Sequence, residues 1–134
     1  MAKLSVIEGI GPAYETKLKE AGITSIEDLL IKCSSKKNRT KLAENTGITE
    51  KLILKWANHA DLFRIKGIGG EYAELLEASG VDTVPELSKR KADKLFIKLS
   101  QVNAAQKLVR KLPAQKQIES WIQQASNLPK ALSY

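Results

Sequence analysis

The sequence predicts an all-α fold arranged as a tandem repeat of two helical units, with no sheet. Three observations carry that expectation. Ile7-Glu8-Gly9-Ile10-Gly11, continuing through Tyr14 and Leu18, recurs as Ile65-Lys66-Gly67-Ile68-Gly69 with Tyr72 and Leu76, an offset of 58 residues. Eight of the 25 positions from Val6 to Leu30 are identical at that offset, Gly22/Gly80 and Leu29/Leu87 among them. Helix-start and helix-stop signals then succeed one another along the chain. No window alternates apolar and polar residues between turn signals, as a half-buried strand would.

The elements follow in order. Pro12 suits a first helical turn, where a missing N–H costs nothing, and Gly22 closes that helix. Thr24 to Glu27 and Thr83 to Glu86 have the spacing of a capping box, so each copy starts a short helix there. Leu42 and Ala43 belong to a further helix that stops at Asn45-Thr46-Gly47. Thr49 caps the next, from Glu50 to about Ala60, with Ile53, Trp56, Ala57 and Ala60 on one face. The pattern Ile53/Trp56/Ala60 returns as Ile118/Trp121/Ala125 at an offset of 65, so the second copy holds about seven extra residues between Ser88 and Pro113. Its later helices are expected over residues 92–99, 104–112 and 114–125, with Pro113 separating the last two. The two units divide at residues 1–62 and 63–134 as one compact globule, and the tail from 129 to 134 frays.

Composition narrows the function. The 134 residues carry 22 Lys and Arg against 15 Asp and Glu, a formal charge of +7. No apolar run is long enough to span a membrane, and the N-terminus lacks the apolar core of a signal peptide. A single cysteine, Cys33, excludes an intramolecular disulfide and a thiolate metal cluster, which makes a reducing cytoplasmic setting the expectation.

A Gly-hydrophobic-Gly triplet between short helices makes a tight hairpin. Its middle isoleucine plugs inward, and the loop leads into a helix N-terminus whose unpaired N–H groups attract phosphate oxygens without reading bases. Neither triplet has the third glycine or the preceding strand of a dinucleotide fingerprint, and neither is followed by Gly-Lys-Ser/Thr. The segment Val6 to Pro12, with Ala21 to Leu29 after it, resembles the helix-hairpin-helix motif. That motif, a SAM-like arrangement, occurs in the bacterial Holliday-junction-binding protein, NAD-dependent DNA ligase and DNA polymerase beta. More closely, through Ile7 to Leu30, Ala60 to Gly69, Leu75 to Thr83 and Trp121 to Ala125, roughly residues 3–126 resemble a bacterial family of tandem helix-hairpin-helix proteins of unassigned role. The resemblance implies sequence-independent DNA contact through Gly9, Ile10 and Gly11 and through Gly67, Ile68 and Gly69. Such motifs often place a Lys or Arg two residues after the second glycine. Ala13 and Glu71 stand there instead, which favours the first hairpin, followed by Lys17.

The positive charge sits elsewhere. Residues 1–62 have a net charge of +2 and residues 63–134 of +5, and the stretch 89–116 holds nine basic residues against Asp93 alone. Lys89, Arg90, Lys91 and Lys94 head that stretch as candidate phosphate contacts. Lys32, Lys36, Lys37, Arg39 and Lys41 form a smaller run in the first copy. His59 beside Asp61 has no second ligand near it in sequence, so no metal site is expected. No catalytic set and no cofactor motif is found. The expected function is therefore non-enzymatic DNA binding. The alternative is a protein-interaction scaffold on the same hairpins, since Ala13, Glu71 and Glu74 remove the usual phosphate partners.

Overall fold

Most helix ends have a local chemical cause, visible in the computed structural model, which describes residues 3–134. A 3-10 turn at Leu4–Val6 precedes α1 (Pro12–Glu20), α2 (Ile26–Lys32), α3 (Lys36–Thr46) and α4 (Glu50–Leu62). Then come α5 (Gly70–Ala78), α6 (Val84–Ser88), α7 (Ala92–Gln106) and α8 (Gln115–Asn127). The fold is all-helical, with no strand among the described residues.

After α1, the Ile23 N–H donates to the Leu18 carbonyl at 2.8 Å and the Gly22 N–H to Lys19 at 3.0 Å. After α5, Val81 and Gly80 make the same pair of bonds to Leu76 and Glu77, at 2.8 and 3.0 Å. Both are Schellman closures, which satisfy carbonyls that a helix end leaves unpaired. The start of α2 lies one residue beyond the expected box. Ser25 Oγ accepts from the Asp28 N–H at 3.1 Å, while Thr24 donates through both its N–H and its hydroxyl to the Asp28 carboxylate. Those Thr24 bonds hold the Asp28 carboxyl below its usual range. Thr83 does cap α6, accepting from the Glu86 N–H at 3.4 Å, but the Glu86 carboxylate turns to Arg90.

The second unit departs most from expectation at α7. One helix of fifteen residues, Ala92–Gln106, runs through the gap expected between segments 92–99 and 104–112, and residues 107–112, expected to be helical, are not. Nothing between Ser100 and Asn103 breaks a helix. The stop is at Lys107, in the left-handed region (φ 53°), and the Asn103 side chain then brackets Val109, accepting from its N–H at 2.9 Å and donating to its carbonyl at 3.2 Å. The extra residues of the second copy thus lie partly in α7, longer than the eleven-residue α3, and partly in the irregular stretch before α8.

Contacts divide the chain into two units. The first runs to Asp61 and includes Ala131–Tyr134; the second is Leu62–Lys130. Ile7, Ile10, Leu18, Ile23, Leu29, Ile53 and Trp56 are among the buried residues of the first. In the second, α6 and α7 pack on α8 and α5 packs on α7, around Ile68, Leu76, Val81, Leu87, Leu95, Leu99, Ile118 and Trp121.

The tail corrects the expectation of fraying. Leu132 is 3% exposed, and the Ser133 N–H donates to the Ser34 carbonyl at 2.7 Å. The buried Arg39 guanidinium donates to the Ser133 carbonyl at 2.6 Å and to Cys33 at 2.8 Å, and lies over the Tyr134 ring. The Tyr134 hydroxyl donates to Asn58 Oδ1 at 3.0 Å. A buried leucine and an aromatic two residues apart are enough to dock a segment whose overall composition reads as loose.

Candidate functional site

The two Gly-Ile-Gly loops are built alike. Gly9 and Gly67 hold φ of 94° and 99°, a region costly to any residue with a Cβ. Beneath each lies a tryptophan: a Cβ on Gly9 would come 3.7 Å from Trp56 Nε1, and one on Gly67 only 2.9 Å from Trp121 Nε1. Tyr14 packs on Trp56 with ring centroids 5.1 Å apart, and Tyr72 on Trp121 at 5.3 Å. Trp56 and Trp121, contributed by α4 and α8, are buried and so anchor the loops from below. They offer no face for a base to stack on.

Ile10 and Ile68 are 4% and 5% exposed and belong to the cores; only their backbone can face a ligand. Gly9, Gly11, Gly67 and Gly69 are exposed. Gly11 and Gly69 are the N-caps of α1 and α5, and neither helix start has a side-chain cap, so the first-turn amides of both are open to an external acceptor. The charges beside them differ little in sign: Glu15 stands in the first turn of α1 and Glu71 in that of α5. Lys17 is exposed but lies in the last turn of α1, away from the loop. The second loop is further fixed by α8, whose Gln124 side chain accepts from the Lys66 N–H at 2.9 Å and donates to its carbonyl at 3.3 Å.

The basic residues are sorted by the structure. Lys89, Lys91 and Lys94 are exposed, and with Arg90, Lys98 and the apolar Leu95 they line a concavity of about 300 Å³ that no carboxylate enters. Arg90 has a structural role: one guanidinium nitrogen donates to the Gly80 carbonyl and to Glu86 Oε1, each at 3.0 Å. Lys32 does the same in the first unit, its ammonium reaching the Gly22 carbonyl at 2.5 Å. The signal was present in the repeat, since 32 and 90 are related by the same offset of 58. Arg39, one of the first copy's basic run, is 4% exposed and belongs to its core. Lys98 is the residue that sequence reading left out of the site. The groove lined by Lys36, Lys37, Thr40 and Lys41 in the first unit also takes in Glu44.

His59 and Asp61 are buried, at 0% and 1% exposure, and no group of three or more His, Cys, Asp and Glu residues is placed to hold a metal among the described residues. Burial pushes the Cys33 thiol up to about 11, against a smaller opposing effect of Arg39, so it is a packed thiol at neutral pH. Among the described residues no helix is long and apolar enough to cross a membrane.

No curated protein and no solved structure matches the chain. Residues 8–128, nearly its whole length, match one family, and the chain belongs to it: Domain of unknown function (DUF4332).

Proposed function

We propose that this chain is a non-enzymatic, largely sequence-independent DNA-binding protein built from two helix-hairpin-helix units. The observation that carries the reading is the recurrence of one device in both units. An exposed Gly-hydrophobic-Gly loop, seated on a buried tryptophan, opens a helix whose first amides have no side-chain cap. Amides presented in this way complement a phosphate oxygen and carry no base information. Both first turns hold an acid, Glu15 in α1 and Glu71 in α5. Only in the second hairpin does it stand two residues after the second glycine, where the first has Ala13, so the first hairpin is the stronger contact. Lys89, Lys91 and Lys94 add non-specific attraction.

Fluorescence anisotropy with duplex, single-stranded and branched DNA at low and moderate salt tests the reading. Micromolar binding that weakens steeply with salt is expected. Failure to bind any of the three more tightly than about 100 µM, the weak end of ordinary non-specific affinity, defeats it. A second reading, a protein-interaction scaffold, is favoured by the acidic first turns at both hairpins and by the exposure of Ile31 on α2 and Ile97 on α7, at 70% and 57%. Under it, charge reversal at Lys89 and Lys94 leaves capture of the protein partner intact.

A further inference from the structure

Arg39 is 4% exposed, yet no carboxylate lies within ion-pair distance of it among the described residues. A buried cation is normally matched by an anion, because taking it out of water costs several kcal/mol. What surrounds this one carries partial charge only. The guanidinium donates to the carbonyls of Cys33 and Ser133 at 2.8 and 2.6 Å and lies over the Tyr134 ring, 5.6 Å from its centroid. Cys33 is no counter-ion, since its thiol is neutral at pH 7. These two bonds do not use up the guanidinium N–H groups. Arg39 also lines a cavity of about 200 Å³, together with Lys36, Thr40, Glu50, Leu54 and Tyr134, all of the first unit. Lys36, Arg39 and Thr40 stand at i, i+3 and i+4 on α3, so one helix face presents two cations and a hydroxyl. Leu54 of α4 and the Tyr134 ring form the apolar wall, and exposed Glu50, in the first turn of α4, is the acid at the rim.

We propose that this cavity binds a small monocarboxylate with an apolar body. The carboxylate accepts from Arg39, with Lys36 and the Thr40 hydroxyl beside it, and the carbon skeleton lies against Leu54 and the Tyr134 ring. Three features select that class. The volume is smaller than the pockets that hold drug-sized ligands, so the ligand is small. Two cations against Glu50 leave a single net positive charge, which suits one carboxylate and disfavours a phosphate dianion. The apolar wall gives the ligand's carbons a place that a bare inorganic anion would not use. The site belongs to the first unit alone, because the docked tail completes it: Ser133 fixes the guanidinium and Tyr134 closes one side. The proposal goes beyond the hairpin reading and uses none of the Gly-Ile-Gly amides, so carboxylate binding and DNA binding stand or fall separately.

The test is an NMR titration of the full chain with benzoate and with propionate, inorganic phosphate serving as the comparison anion. The expected result is saturable shifts confined to Lys36–Thr40, Glu50–Leu54 and the Tyr134 ring, with both acids binding more tightly than phosphate. Three exposed residues then separate a built site from general surface attraction without disturbing Arg39 or the tail. Glu50→Gln, which removes the acid at the rim, is expected to tighten benzoate binding about threefold or more. Lys36→Gln is expected to weaken it by a similar factor. Lys37→Gln, one residue along α3 and outside the cavity, is expected to leave it unchanged. Shifts scattered over the surface lysines, or shifts that fail to saturate by about 100 mM in either acid, overturn the proposal. So does phosphate binding as tightly as benzoate, or Lys37→Gln weakening binding as much as Lys36→Gln. A chain that takes benzoate here and binds no form of DNA keeps this site and loses the DNA-binding reading; the reverse result does the opposite.

Discussion

At Gly9 and Gly67 one backbone shape is used twice with unequal room above the indole. Gly9→Ala meets Trp56 at an ordinary 3.7 Å and bears only the backbone strain, about 1–2 kcal/mol. Gly67→Ala bears the same strain and also pushes on Trp121 from 2.9 Å, adding about 1–3 kcal/mol. Urea unfolding of the two variants is expected to rank Gly67→Ala as clearly the worse. Lys91→Ser is expected to raise stability by about 1 kcal/mol in the same measurement, because an oxygen acceptor replaces a cation at a helix N-cap. Cys33 sets an alkaline limit. Its thiol ionises at about 11 when buried but at 9.0 when released, so the unfolded chain loses that proton first and stability falls as pH rises between those values. Cys33→Ala should flatten the fall in an alkaline titration of the melting temperature.

Among the elements, the helix starts show what could be read from the sequence and what could not. Pro12, Gly22, Gly47, Gly80 and Thr83 announce their helix ends through chemistry that acts within a few residues, and those ends were legible. The start of α2 was misplaced by taking Thr24 with Glu27, although the offset of 58 pairs Ser25 with Thr83 and Asp28 with Glu86. The repeat was the better guide than the local motif. α7 was divided because its polar middle resembles a boundary, yet it contains no residue that stops a helix. Arg39 and Arg90 were read as surface charge because a count of lysines and arginines does not say which ones find a carbonyl to bind. At the candidate site the backbone shape of the two glycine loops and the basic run from Lys89 to Lys94 could be read along the chain. The closing of that run with Leu95 and Lys98 around one concavity could not, since its lining joins a loop to one face of the helix that follows. Arg90→Met is expected to cost about 1 kcal/mol by freeing the Gly80 carbonyl and Glu86, whereas Lys89→Met should be neutral for stability. Removing residues 131–134 uncovers the Leu132 contacts and takes the Ser133 carbonyl from Arg39, and is expected to lower stability by about 2–3 kcal/mol in calorimetry.

For the whole molecule, the charge of +7 matters less than its uneven use. Some of the cations are structural, and an acid stands in the first helical turn at both hairpins, so binding to a polyanion should depend on a few lysines. If about four phosphates are neutralised, affinity for duplex DNA should fall roughly 100-fold between about 50 and 200 mM salt, and Lys94→Gln/Lys98→Gln should flatten that slope. The tail has a different consequence, one of timing. The second unit is contiguous in the chain, whereas the first is closed by residues made after the whole of the second. At synthesis rates of about 5–20 residues per second, the first unit emerges and then waits roughly 3–14 s for its last piece. During that interval the Arg39 guanidinium has no Ser133 carbonyl and the space for Leu132 stands open. The unit born first is therefore the one completed last, and a stalled ribosome would present it unsealed to whatever chaperone or protease stands nearby.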